Sequence, residues 1–179
     1  MRFNYKHKHG GTKMIPEIKK IFYATDLSEN ARYSFGYAAS LANRYGAGIT
    51  ILHVLEDVSA YQDSLVINVI GKQKWEELRK TNEQKVLDTI KARLEKFYED
   101  VSREAPSCPF ITDHIIVKTG NPVEEILQEA EASGCDMVVM GAHGHGILAN
   151  AMMGSTSRRV LRRCKKPVLV VRLPEGDET

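Results

Sequence analysis

Gly141, Gly144, Gly146 and Gly154 crowd the stretch MGAHGHGILANAMMGST, residues 140–156, and the hydroxyls of Ser155, Thr156 and Ser157 follow at once. An apolar run ends just before this stretch and a helical pattern begins just after it. Glycines at the end of a strand let the backbone take a positive φ or touch a ligand with no Cβ in the way. A helix opening at Gly154 presents unpaired N–H groups and three hydroxyls at the positive end of its dipole, which is the chemistry of an anion site. The dipole contributes only about 0.3–1 kcal/mol, up to about 2, whereas micromolar affinity needs about 8 kcal/mol. Several charge-assisted hydrogen bonds, together with an apolar slot for a flat base, make up the difference.

Two phosphate motifs can be tested against the stretch. The pattern GxxxxGK[ST] is absent, because no lysine precedes Ser155. GHGILA, residues 144–149, fits GxGxx[GA], but it sits in the last strand–helix unit, and Cys164, Lys165 and Lys166 stand where a dinucleotide fingerprint requires an acid. His143 and His145 form HxH, and with His53 and His114 a metal cluster is conceivable, but the spacing matches no zinc pattern. A loop histidine donating to phosphate is the preferred reading. Asp26 has two readings, a cap for the helix that follows it or a ligand contact on the same edge as Gly141. Arg158, Arg159, Arg162, Arg163, Lys165 and Lys166 read as a solvated face at a helix C-terminus, with Arg158 or Arg159 leaning toward phosphate as the alternative. No aromatic residues interleave with this run, so a nucleic-acid partner is not expected.

The elements that must position these groups alternate along the chain. IKKIFYAT (18–25) reads as a strand. Ser28 caps a helix that stops at Gly46, and GITILHVL (48–55) is a strand buried on both faces. Leu78, Val86, Ile90, Leu94 and Phe97 keep helical spacing from Trp75 to about Glu99. FITDHIIVKTG is a third strand, and Asn121 with Pro122 opens a third helix that Gly134 stops. DMVVMGA, then the helix STSRRVLRRC, then KPVLVVR (166–172) complete the pattern. Five strands joined by helices require parallel crossovers, hence an open α/β sheet with helices on both faces. Residues 1–13 read as a flexible basic arm, 14–174 as one domain and 175–179 as a tail. The irregular segment 56–74 is open between a lid, a short helix and a partner surface.

With 25 basic and 23 acidic residues among 179, the chain is too balanced for its charge to name a polyanionic partner. Cys108, Cys135 and Cys164 are odd in number and form no CxxC, which suits buried thiols in a reducing, cytoplasmic setting. No apolar run approaches the roughly 20 residues that span a bilayer, so no membrane partner is expected.

Taken whole, G141-x2-G144-x9-G154-S155 resembles the nucleotide-binding signature of the universal stress protein family. IFYATDLSENA, ITILHVLED, GNPVEEILQEAEASGCDMVVMGAHG and KKPVLVV resemble it too, over about residues 15–173. The resemblance implies a five-stranded Rossmann-like sheet of the adenine nucleotide alpha hydrolase type, with strand order 3-2-1-4-5 and ATP across the ends of strands one and four. Ala24, Thr25 and Asp26 would line the nucleoside pocket, Asp26 reaching a ribose hydroxyl or the adenine amino group. Val54 would offer backbone groups to the adenine edge, and Met140 and Gly141 would border base and ribose. His143, Gly144, Gly154, Ser155, Thr156 and Ser157 would surround the phosphates. Residues 141–157 hold no Lys or Arg, so tight ATP binding is expected to need Mg²⁺ or Mn²⁺ bridging the phosphates.

The expected function is an ATP-binding stress-response switch or sensor, a homodimer paired through the strand at 167–172, where an uncovered apolar edge needs a partner. Another adenine nucleotide in place of ATP stays open. The rival class is a slow ATPase using the same pocket, for which His143 and Asp26 are the obvious candidates. No nucleophile and base pair and no phosphate-clamping lysine support it.

Overall fold

Residues 21–24 are apolar without interruption, and a strand of that kind needs cover on both faces and both edges. It finds them at the centre of the sheet. In the computed structural model, which describes residues 15–56, 71–104, 111–144 and 153–174, β1 (Lys20–Thr25) pairs in parallel with β2 (Gly48–Glu56) on one side and β4 (Met137–Gly141) on the other. β3 (Ile111–Gly120) lies outside β2, and β5 (Val168–Val171) lies outside β4. The order is β3-β2-β1-β4-β5, as the resemblance implied, and the sheet is parallel, as the alternation of strands and helices required. The chain runs outward from β1 to β3 and then crosses back to β4, so the strand order reverses between β1 and β4. The expected arm 1–13, the tail 175–179, Cys108, His145, Gly146 and most of the segment 56–74 lie outside the described residues. The two ends of that segment belong to regular elements: Glu56 closes β2 and Lys72 opens the second helix.

Local chemistry sets the helix ends. Ser28 Oγ accepts the Ala31 N–H at 3.2 Å to open α1 (Glu29–Tyr45), and Gly46 ends it at φ +62°, a left-handed conformation that costs glycine little. Asn121 Oδ1 accepts from Val123 (3.0 Å) and Glu124 (3.3 Å) at the start of α3 (Pro122–Ala132). The second helix, α2 (Lys72–Glu104), outruns the expected 75–99 at both ends. Its extra C-terminal turn has a physical cause: Val101 packs on the core, and Arg103 reaches back to Asp100 at 3.0 Å. α4 (Ser155–Arg163) precedes β5.

Alternation along β1 feeds two cores. Ile21 and Tyr23 pack with Phe35, Ala38 and Leu94 under α1 and α2, whereas Phe22 and Ala24 pack with Leu52, Val123 and Val160 under α3 and α4. Tyr23 is fully buried, donates its hydroxyl to the Ala31 carbonyl and meets Phe35 edge-on at 5.0 Å. Burial pushes its phenol up to about 12. A raised folded value means that this phenol supports the fold below pH 10 and withdraws that support as pH climbs from 10 to 12. Ultraviolet titration of tyrosinate is expected to show one of the seven tyrosines ionising late, together with unfolding. Its ionisation with the others in a folded chain would refute the assignment.

Candidate functional site: a cleft at the carboxyl ends of the strands

The carboxyl ends of β1, β2 and β4 open into a cleft of about 530 Å³, within the range of small-ligand sites, at the edge where strand order reverses. Ala24, Leu52, Val54, Ile126 and Met140 supply apolar wall. Thr25 and Asp26 close β1, and Gly141, His143 and Gly144 extend β4. Gly154, Ser155, Thr156 and Ser157 bring the first turn of α4 to the same cleft. All twelve residues singled out in the sequence therefore line one space.

The glycines serve close approach. Neither Gly141 nor Gly144 has a positive φ. A Cβ on Gly144 would lie 2.6 Å from Asp26 Oδ2, and one on Gly141 would lie 3.3 Å from the His143 carbonyl oxygen. The loop after β4 thus sits directly against the turn after β1. That turn is itself constrained. Asp26 Oδ1 accepts both the Ser28 N–H (3.1 Å) and the Ser28 hydroxyl (2.6 Å). Ser28 is the helix cap, and Asp26 steadies it from the cleft wall. Between them Leu27 holds φ +65° and donates its N–H to Thr25 Oγ1 at 3.1 Å. A left-handed non-glycine residue costs about 1–3 kcal/mol, which the surrounding packing must offset.

α4 starts without a side-chain cap. Gly154, its N-cap, donates its N–H to the Ala142 carbonyl at 2.9 Å, and the first intrahelical bond runs from Arg158 N–H to the Gly154 carbonyl at 3.0 Å. The N–H groups of Ser155, Thr156 and Ser157 lie ahead of that bond and have no intrahelical acceptor. Ser155 is exposed and Thr156 half-buried. Ser157 differs: it is buried, and its hydroxyl is directed at the carbonyls of Ala142 (2.8 Å) and Gly154 (3.1 Å). Its side chain holds the strand end to the helix.

Charge in the cleft is one-sided. Asp26 and Glu56 line it, and among the described residues no Lys or Arg does. Arg158 and Arg159 are exposed and line no part of it. Elsewhere in the basic run, Arg163 grips Glu124 with two bonds (2.6 and 3.0 Å) and Lys165 reaches Glu131 at 3.2 Å, so part of the expected solvated face is tied to α3. The Arg163 guanidinium holds the Glu124 carboxyl below its ordinary value. No cluster of three or more metal-ligating side chains occurs among the described residues. Cys135 is buried with its thiol pushed up by burial, the state of an inert core residue.

Several lining residues were not assigned to this cleft in advance. His53 is 8% exposed and contacts the Thr25 carbonyl through Nδ1 at 2.9 Å. A carbonyl can only accept, so Nδ1 carries the proton. A polar residue inside the apolar run ILHVL was the available signal, because buried polar groups need partners. Pro122 and Ile126 left no such signal, since only the crossover from β3 brings α3 to this edge.

The sequence pattern of the universal stress protein family matches residues 17–172. Universal stress protein MJ0577 of Methanocaldococcus jannaschii is 32% identical over 158 residues, 86% of this chain and 94% of that protein. The solved structure of MJ0577 superposes with a TM-score of 0.70 at 27% identity, covering 90% of this chain and all of that one (100%). A universal stress protein in complex with cAMP (TM-score 0.53, 18% identity, 88% of this chain and 98% of that one) shares the fold. So does one from Archaeoglobus fulgidus in complex with dAMP (TM-score 0.52, 16% identity, 88% and 100%). Among the described residues no helix is long and apolar enough to cross a membrane.

Proposed function

Since the chain belongs to the universal stress protein family, we propose that its cleft binds ATP and that the protein acts as a nucleotide-dependent switch or sensor in a cytoplasmic stress response. The observation that carries this reading is the meeting, in one cleft, of an apolar slot with an uncapped helix N-terminus. The donor set fits the ligand. Ala24, Leu52, Val54 and Met140 offer a dry wall to a flat base, with backbone groups of Val54 for its edge. Asp26, held by Ser28, would accept from a ribose hydroxyl or the adenine amino group. Gly141 and Gly144 keep that space free of side chains. The N–H groups opening α4, with the hydroxyls of Ser155 and Thr156 and the His143 ring, would receive the phosphates. Solved proteins of this fold in complex with cAMP and dAMP hold the same class of ligand, although that likeness is one of fold.

The test is to denature the purified protein and identify any nucleotide it releases, then to add Mg-ATP and follow the melting temperature. At about 100 times Kd, ligand linkage contributes about 2.7 kcal/mol, a rise of about 5–10 °C for a domain of this size. Released ATP or that rise supports the reading. Release of mainly ADP would move the assignment to a hydrolysing enzyme. No nucleotide and no rise would overturn it.

Because the described lining offers two carboxylates and no cation, this reading includes Mg²⁺ or Mn²⁺ bridging the phosphates, where the ion would offset charge that the side chains leave standing. ATP affinity measured in excess chelator is expected to fall at least about tenfold, roughly the 1.4 kcal/mol of a single weak ionic contact. Undiminished affinity would remove the metal from the proposal. The reading also includes a homodimer through β5: Val168, Leu169 and Val170 are only half-buried on the outer strand, an edge that invites pairing. Light scattering is expected to give twice the 20.1 kDa of one chain, and a monomeric mass would exclude the dimer.

A further inference from the structure

We propose that one flank of α1, an aromatic stripe beside the open edge of the sheet, is a self-association surface whose occupant is the same flank of a second copy of this chain. The inference rests on the homodimer reading above and extends it from the strand edge to a helix face. Among the described residues six large apolar side chains stand exposed, and three of them are tyrosines of α1. Tyr33, Tyr37, Leu41 and Tyr45 follow one another at intervals of four, the spacing that lays side chains along one helix face. The rings of Tyr33 and Tyr37 meet edge-on at 5.5 Å, and Leu41 is partly packed on the core. Tyr37 and Tyr45 remain 45% and 52% exposed. Between Arg32 and Arg44 the helix holds no charged residue at all. A surface helix facing water normally carries its charges on the outer side, whereas the core of an interface is poor in charge and rich in tyrosine.

The fold sets where this flank looks. The ring of Phe97 on α2 lies 5.0 Å from Phe35 and 5.9 Å from the Arg32 guanidinium, so that side of α1 faces α2. Tyr37, two residues past Phe35, stands about 160° away from it round the helix. α2 touches β3, and α1 touches β4 and β5, so the flank turned away from α2 is the one beside the unpaired edge of β5. Leu173, 44% exposed just past β5, adds apolar surface there. The edge alone is small. Its four residues extend about 14 Å, whereas a stable interface covers about 800 Å² on each partner. Antiparallel pairing of two identical strands requires a twofold axis normal to the sheet, which keeps both copies of α1 on the same face. A helix over β4 then stands about 14 Å from its symmetry mate, wider than the roughly 8–10 Å of direct helix packing. Aromatic side chains reaching in from both helices close such a gap, and each half-exposed tyrosine covers on the order of 100 Å² in doing so.

Sedimentation velocity on the full chain, across a dilution series, tests this. Tyr37→Glu and Tyr45→Glu, made separately, are each expected to raise the dimer Kd at least about tenfold, since each removes an aromatic anchor and sets a charge against its own mate. Tyr37→Phe is expected to keep the Kd of the parent. Both positions are exposed and glutamate favours helix, so circular dichroism should show the parent's fold in every variant. A dimer whose Kd neither glutamate alters would overturn the proposal and leave the β5 edge as the whole interface. A parent chain that stays monomeric would overturn the homodimer reading and this one with it, so the two failures are told apart by the parent alone.

Discussion

The substitution Ser155→Asp is expected to lower ATP affinity by about two orders of magnitude while leaving the melting temperature of the free protein unchanged or slightly raised. Ser155 is the first residue of α4, exposed, and at the mouth of the cleft. A carboxylate in the first turn of a helix is favoured by the dipole by about 0.3–1 kcal/mol. The same carboxylate would stand where phosphate oxygens are proposed to bind. Two like charges about 4 Å apart repel by about 4 kcal/mol at an effective dielectric of 20, more than the roughly 2.7 kcal/mol that a hundredfold loss requires. Stability and affinity therefore move in opposite directions, which separates a lost site from a damaged fold. Equilibrium binding of Mg-ATP alongside thermal melting reads both. Unchanged affinity in a variant that melts normally would mean that the phosphates lie elsewhere.

Phe35→Ala is expected to destabilise the chain by about 3–5 kcal/mol and to lower its melting temperature by about 10 °C or more. Phe35 is fully buried between Tyr23 of β1 and Phe97 of α2, with ring centres 5.0 Å away on each side and both pairs edge-on at 62°. Truncation opens a cavity against the central strand and removes two aromatic contacts worth about 0.5–1.5 kcal/mol each beyond their area. Neighbours can close little of it, because Ile21, Ala38, Ile51 and Leu94 around it are themselves buried in the same cluster. Denaturant unfolding measures the loss. A change below about 1 kcal/mol would show that α2 is not packed on this core as described.

Much of the architecture was legible because its signals are local. Ser28, Gly46, Asn121 and Pro122 mark helix ends by side-chain and backbone chemistry that acts within a few residues, and the helices stop and start at them. The uninterrupted apolar runs of β1 and β2 announce strands covered on both faces. The length of α2 was less legible: Val101 continues the spacing of Ile90, Leu94 and Phe97, but the breaker residues that follow it suggest an earlier stop, and its packing on the core carries the helix past Glu99.

The twelve expected site residues were found by two routes, and they divide the same way. The glycines and hydroxyls of residues 141–157 follow from what a bare backbone before a helix can do, whereas Ala24 and Val54 entered only through the resemblance. The amino-acid sequence by itself determined the alternation of strands and helices, the helix caps and a glycine-rich stretch leading into an uncapped helix start, because each depends on groups close together in the chain. Tertiary structure alone decided that Gly144 rests against Asp26, that His53 donates to Thr25, that the Ser157 hydroxyl is spent on the Ala142 carbonyl, and that Arg32 and Lys96 share a cleft. Apart from Ser157 and Ala142, which one strand-to-helix connection links, those pairs are joined by crossovers between strands, and in every case how the elements pack on the sheet sets the distance.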